Sequence, residues 1–345
     1  MNQPQDPEPI LQNLVRDVAM ILRHGLSEAV ARGQYPLPSR TIDLDDESYL
    51  RKMPAHDRWR HLERLIKAAN PRLSDIGLAQ TDNDIAAHVL ISEKLKERVP
   101  GSIVVGEEAD EPEWAKCKAA PSGTLVWQLD AIDGSALQDT VGFGYSANVI
   151  LYRKHEAAPA EPLISVTVTS SSTMMAWVYT GQVGASHLNS VDPHTGEPMI
   201  LELLEPVKSV EQVREGWVAV VAAQAKDRAK VRALFETELS IMTLGGAPAL
   251  PGLLLEKLAA IVIPSPQTRH DAPLLPLASH MGMHFIDIHT GENYSDADVR
   301  AFFTGIAHPN DVDYKPVPAM VISRDLLFGI ELANIIRNGR TDKAS

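Results

Sequence analysis

The stretch from Leu125 to Tyr179 constrains this chain most. Leu125-Val126-Trp127-Gln128-Leu129 reads as a strand ending at Asp130; from Tyr145 to Tyr152, and again from Leu163 to Tyr179, β-branched and apolar residues alternate with small polar ones. Period-two alternation of this kind predicts an antiparallel sheet. Upstream, Ile103-Val104-Val105 reads as a short buried strand that ends in Gly106-Glu107-Glu108. Two helices precede it, an apolar stripe within Pro9 to Arg32 and a segment capped by Thr81 that starts at Asp82 and stops before Pro100-Gly101. Beyond Val210 the pattern changes to alternating elements: a strand over Gly216 to Ala223, a helix over Asp227 to Glu236, a helix over Ala249 to Leu258 and a strand over Ala259 to Ile263. The expected organisation is an α+β domain over 1–205 followed by an α/β domain over 206–345. Between them in character stands Gly33 to Gln80, rich in Pro, Asp, Arg and Lys, with an amphipathic helix around Trp59 to Ala69.

Composition narrows the function classes. The 32 Lys+Arg against 45 Asp+Glu give a net charge of −13, which opposes non-specific binding to nucleic acid or to an anionic membrane. The longest clean apolar runs, such as Leu258 to Ile263, fall far short of the roughly 18 residues that span a bilayer. The first residues lack the basic-then-apolar pattern of a signal peptide. A single cysteine, Cys117, excludes an internal disulfide and a thiolate metal cluster. A cytoplasmic protein is expected, and Cys117 itself is assigned no role.

Three acidic clusters end or interrupt apolar segments. They are Glu107-Glu108, Asp130-Ala131-Ile132-Asp133-Gly134-Ser135, and Asp271 after the loop from Pro264 to His270. Carboxylates gathered at strand ends repel one another and take up protons unless a cation sits among them. A hard ion such as Mg²⁺ fits oxygen donors, and a backbone carbonyl such as that of Ile132 can complete its shell. Gly134 and Ser135 would present backbone N–H groups to a phosphate oxygen.

Taken together, Thr81-x-x-Asp84, Gly106-Glu107-Glu108, Asp130-x-Ile132-Asp133-Gly134-Ser135 and His270-Asp271-Ala272 resemble the signature set of the inositol monophosphatase-like, Mg²⁺-dependent, lithium-sensitive phosphatases. That superfamily also holds fructose-1,6-bisphosphatases and 3′(2′),5′-bisphosphate nucleotidases. Order and spacing agree from about Thr81 to about Arg337. The resemblance implies a layered αβαβα sandwich and two or three Mg²⁺ ions, replaceable by Mn²⁺. It implies that Glu107, Asp130, the Ile132 carbonyl, Asp133 and Asp271 hold the metals. It further implies that Ser135 relays the proton of the attacking water towards Asp84, with Glu108 orienting the ligands. The expected partner is a small phosphorylated metabolite, and the expected assembly a homodimer.

Departures from the family pattern bear on the substrate. Ala131 replaces the usual Pro, His270 replaces the usual Trp, and Ala136-Leu137-Gln138 follow Ser135 where Asn-Phe is common. Arg269 reads either as a bidentate partner for a second anionic group or as a surface arginine, and His270 is expected among the residues that bind the substrate. The leading expectation is a phosphomonoesterase acting on an inositol phosphate, sugar phosphate or related intermediate. A nucleotidase or fructose-1,6-bisphosphatase type of activity is the alternative within the superfamily, and a non-catalytic phosphometabolite- or partner-binding protein the alternative outside it. The long segment from Gly33 to Gln80 is expected to form a lid or a dimer contact.

Overall fold

The computed structural model describes residues 14–15, 17–26, 82–106, 109, 111–133, 145–156, 158–169, 174–178, 185–188, 201–203, 216–221, 225–244, 249–254, 257–269, 272–306 and 314–341. The expected insertion at 33–80 and the residues Glu107, Glu108, Gly134, Ser135, His270 and Asp271 lie outside that set.

The alternation in the first half produces a seven-stranded sheet: β1 (Ile103–Gly106), β2 (Leu125–Asp133), β3 (Ser146–Arg153), β4 (Glu161–Thr169), β5 (Met174–Val178), β6 (Ala185–Leu188) and β7 (Leu201–Leu203), in that spatial order. Five antiparallel pairings run from β2 to β7. β1 alone pairs in parallel, with Gly106 opposite Leu129. A parallel neighbour needs a crossover. It is supplied by a helix over Glu111–Ala119, whose alternating charged and apolar residues show no helical stripe in the sequence.

The second half forms a five-stranded mixed sheet in the order β11-β12-β10-β8-β9. Its strands are β8 (Trp217–Val221), β9 (Ile241–Leu244), β10 (Leu258–Ile263), β11 (His284–Asp287) and β12 (Met320–Ser323). β8, β9 and β10 are parallel, and β12 runs against both β10 and β11. β10 is buried along its whole length, as a central strand covered on both faces must be. The helix expected over Asp227 to Glu236 divides into α-helix over Ala225–Lys230 and a 3₁₀ turn over Arg232–Glu236. The helix expected to reach Leu258 is described over Ala249–Leu254, and Leu258 already belongs to β10.

In chain order the described α-helices are α1 (14–26), α2 (Asp82–Arg98), α3 (Glu111–Ala119), α4 (Ala225–Lys230), α5 (Ala249–Leu254), α6 (Leu275–His280), α7 (Asp296–Ala301) and α8 (Leu326–Thr341). Three apolar clusters stack them with the sheets. Leu14, Val18 and Leu22 of α1, with Ile91 and Leu95 of α2, pack on Trp127, Leu129, Val149, Leu151, Ile164 and Val166 of the first sheet. Ile150 and Tyr152, on the opposite face of that sheet, join α5, α6 and α7 and the near face of the second sheet. The far face of the second sheet packs on Phe328, Leu332 and Ile336 of α8. The order of layers is therefore helix, sheet, helix, sheet, helix, the αβαβα sandwich expected from the sequence. Among the described residues no helix is long and apolar enough to cross a membrane.

Candidate active site

Asp130 and Asp133 stand three residues apart, an odd spacing that on a regular strand sends side chains to opposite faces. The register shows how the chain avoids this. Asp130 lies opposite Asn148 and Asp133 opposite Ser146, so two residues of β2, Ala131 and Ile132, face one residue of β3, Ala147. This is a β-bulge. It restores the phase, and both aspartates share the face that carries Ser146 and Asn148. The strand thus continues to Asp133 instead of ending at Asp130. Ala131 and Ile132 both anchor in the apolar cluster beneath α1 and α2, while their peptide units leave the regular ladder, as bulged residues do.

The shared face is polar and nevertheless buried. Asp130 and Asp133 are 3% and 9% exposed, and Gln128, Ser146, Asn148, Ser165, Thr167 and Thr169 are buried beside them on β2, β3 and β4. Thr167 Oγ1 donates to Asn148 Oδ1 at 2.8 Å, and Asn148 Nδ2 donates to Asp133 Oδ2 at 3.4 Å. The chain of contacts fixes the Asp133 carboxylate from behind. Sequence reasoning missed this support, though its signal was present in the small polar residues alternating through 146–148 and 165–169.

The approach to Glu107 is also shaped by residues not singled out in the sequence. At Gly106 an added Cβ would overlap the carbonyl oxygen of Leu129 and come within 3.3 Å of His88 Cε1. Only glycine allows β1 to lie so close to β2 there. Trp114 Nε1 of α3 donates to the Gly106 carbonyl at 3.3 Å. His88 of α2 reaches Glu113 at 3.9 Å. Together with Lys96, the His88 contact holds the Glu113 carboxyl below its ordinary pKa against the opposing effect of burial. Gly106, the last residue of β1, stands level in the parallel register with Leu129, the residue before Asp130. Asp84 falls in the first turn of α2.

From the second half, α6 starts just after the expected Asp271 ligand, within the helical layer that covers this face of the first sheet. Arg269 departs from an exposed, ligand-seeking arginine. It is 5% exposed, and its Nε donates to the Lys315 carbonyl at 3.2 Å, while Nη1 donates to the carbonyls of Thr304 at 2.9 Å and Gly305 at 2.6 Å. Its backbone N–H donates to the Tyr314 hydroxyl at 3.0 Å, and its guanidinium lies 5.3 Å from the Tyr314 ring centre. Arg269 ties the segment before α6 to the segments at 304–305 and 314–315. Cys117 is buried on α3 against Val105, Trp114 and Val126, and burial raises its thiol pKa.

Two buried carboxylates side by side, with neutral oxygen groups around them, form a donor set suited to a hard divalent cation. Among the described residues no group of three potential His, Cys, Asp or Glu ligands comes together.

No family model matches the chain, and no curated protein matches its sequence. Solved structures do match. The extragenic suppressor protein SuhB from Bartonella henselae aligns with TM-score 0.53 at 10% identity, over 95% of this chain and 99% of that one. Staphylococcal IMPase-II aligns with TM-score 0.51 at 14% identity, over 93% of each chain. The chain has the inositol monophosphatase fold. An inositol monophosphatase from Zymomonas mobilis agrees, with TM-score 0.50 at 14% identity over 96% of this chain and the whole of that one. Within this fold the bulged strand β2 is the central element of the candidate site.

Proposed function

We propose that the chain is a Mg²⁺-dependent phosphomonoesterase of the inositol monophosphatase type, acting on a small polar phosphate ester. The observation that carries this reading is the bulge that turns Asp130 and Asp133 onto one buried polar face. Burying two carboxylates costs several kcal/mol unless hydrogen bonds or charge are supplied beside them, and bound cations would supply such charge. Glu107, Asp130, the Ile132 carbonyl and Asp133 would hold the metals, with Asp271 from the second half. Bound ions supply Lewis-acid neutralisation of the phosphoryl oxygens and lower the pKa of water.

The chain's own residues perform the remaining work. Asn148 and Thr167 hold the Asp133 carboxylate in place. The Gly134 and Ser135 N–H groups receive a phosphate oxygen. The Ser135 hydroxyl passes the attacking water's proton towards Asp84, and Glu108 orients the ligand set. His270 would contact the substrate. Arg269 sets the position of this segment through its carbonyl contacts, and because Nε and Nη1 are held there, a monophosphate is favoured over a substrate that needs a second anion grip. The working form is a cytoplasmic homodimer, with Mn²⁺ able to replace Mg²⁺ and with lithium inhibiting.

The test is phosphate release from a panel of inositol, sugar and nucleotide monophosphates with Mg²⁺, with and without lithium. Asp133→Asn is expected to lower kcat/KM by about 100-fold or more, since charge stabilisation worth several kcal/mol is lost at about 1.4 kcal/mol per tenfold. Absence of Mg²⁺-dependent release from every ester, or full activity in Asp133→Asn, refutes the reading.

A further inference from the structure

A second cavity lies at the opposite end of the first sheet. It encloses about 300 Å³ and is lined by Trp114, Cys117 and Lys118 of α3, Lys154 and His155 after β3, and Ala158, Pro159, Ala160, Gly305 and Ile306. Leu125 pairs with Arg153 at this end of β2 and β3, whereas Asp133 pairs with Ser146 at the other. At about 3.3 Å per residue, the two ends stand roughly 20 Å apart. The cavity therefore does not belong to the carboxylate face.

Its chemistry is opposite to that of the chain as a whole. Among the described residues that line it, three side chains are basic and none is acidic, in a protein of net charge −13. Lys154 is built into the wall: its Nζ donates to the carbonyls of Cys117 at 2.8 Å and Lys118 at 2.9 Å, closing the C-terminal end of α3. His155 Nε2 lies 3.4 Å from Glu161, a carboxylate outside the lining. Lys118 is exposed at the rim. Trp114 and Cys117 are buried and supply an apolar floor, and Ile306 adds an apolar wall. The opposite wall is fixed as well. Gly305 N–H donates to the Ala160 carbonyl at 2.8 Å, and the Gly305 carbonyl receives Arg269.

A concave site with an apolar floor and a few basic groups at one side takes a ligand of matching polarity. We propose that this cavity binds a small organic anion, one with an aromatic or branched apolar body seated on Trp114 and Ile306 and a single anionic head group held by Lys118 and His155, with Lys154 contributing the one N–H not given to the α3 carbonyls. The head group is a sulfonate, carboxylate or phosphate, since the basic groups recognise charge and oxygen acceptors common to all three.

The test uses benzenesulfonate, which carries its charge at every working pH and offers no phosphate ester to hydrolyse, with benzenesulfonamide as a neutral probe of nearly the same shape. Calorimetric titration of the full chain should give saturable binding of benzenesulfonate with a Kd on the order of 1 mM or tighter, and at least about tenfold weaker binding of the sulfonamide. Lys118→Gln should weaken the sulfonate about fivefold, and Ala158→Trp, which fills the cavity from an exposed position, should abolish binding. Should Ala158→Trp fail to fold, the double variant Lys118→Gln/His155→Gln decides, because both residues stand at the rim. Absence of saturation at about 10 mM sulfonate, equal affinity for the sulfonamide, or unchanged affinity in the Lys118 variants overturns the proposal.

Discussion

The two faces of the first sheet use the same strands for different ends. On one, Trp127, Leu129, Val149, Leu151, Ile164 and Val166 meet α1 and α2 in an apolar cluster. On the other, at the end where Asp130 and Asp133 lie, the polar Gln128, Asp130, Asp133, Ser146, Asn148, Ser165, Thr167 and Thr169 are also buried, bordering the apolar Ile150. Period-two alternation makes this division possible without adding an element. The apolar face supplies stability through area removed from water. The polar face carries the cost of burial and is useful only if something is to be held there.

That contrast sets an order of expected effects. Ile164→Ala, which cuts into the apolar face, should cost about 4 kcal/mol of unfolding free energy by urea titration. A loss under about 1 kcal/mol would show that the cluster beneath α1 and α2 is not the main support of the sheet. Gly106→Ala should cost about 3 kcal/mol, since the new Cβ meets backbone of β2 and a strand carbonyl cannot swing aside as a side-chain tip can. Recovery of wild-type stability in that variant would mean that β1 and β2 separate there without penalty. Thr167→Val keeps the volume on the polar face but removes the donor to Asn148. It should cost about 1 kcal/mol while releasing Asn148, so that Asp133 function falls more than the melting temperature does. Equal losses in both readouts would remove the special status of that face.

The smallest effect concerns Glu113. Its carboxyl pKa is lowered, first by the His88 contact and then by Lys96. A lowered folded-state pKa contributes stability above the ordinary Glu range and loses it as pH falls through the folded value. Glu113→Gln should therefore lower stability at pH 7 by less than about 1 kcal/mol, with wild type and variant converging as the solution is acidified below the ordinary Glu range. Divergence on acidification would reverse the assigned sign.

Much of the sandwich was legible because burial imposes periodicity. The alternation over 145–179 became β3, β4 and β5, and the apolar run before Pro264 became β10. The acidic clusters were legible as types and spacings. Their placement was not. Nothing in Asp130-Ala131-Ile132-Asp133 announces a bulge, because an odd spacing reads equally well as a turn, and only pairing with β3 decides the phase. α3 was hidden for a different reason: it fixes itself through Trp114 and Cys117 alone, too few apolar residues to show a helical stripe. Arg269 was seen as a charge to be used, but a long side chain gives no sign in sequence of which carbonyls it will meet from residues 35 to 46 positions away.

The Arg269 contacts carry a last consequence. Ion pairs at a junction weaken as salt screens them or acid neutralises the carboxylate. A guanidinium seated on backbone carbonyls offers no titrating partner, and its burial keeps mobile ions away. The join between the segment leading to α6 and the loops at 304–305 and 314–315 should thus stay fastened across ionic strengths and acidities at which exposed pairs such as Lys94 with Glu97 have faded, leaving a brine-proof rivet close to the point where the two halves of the molecule meet.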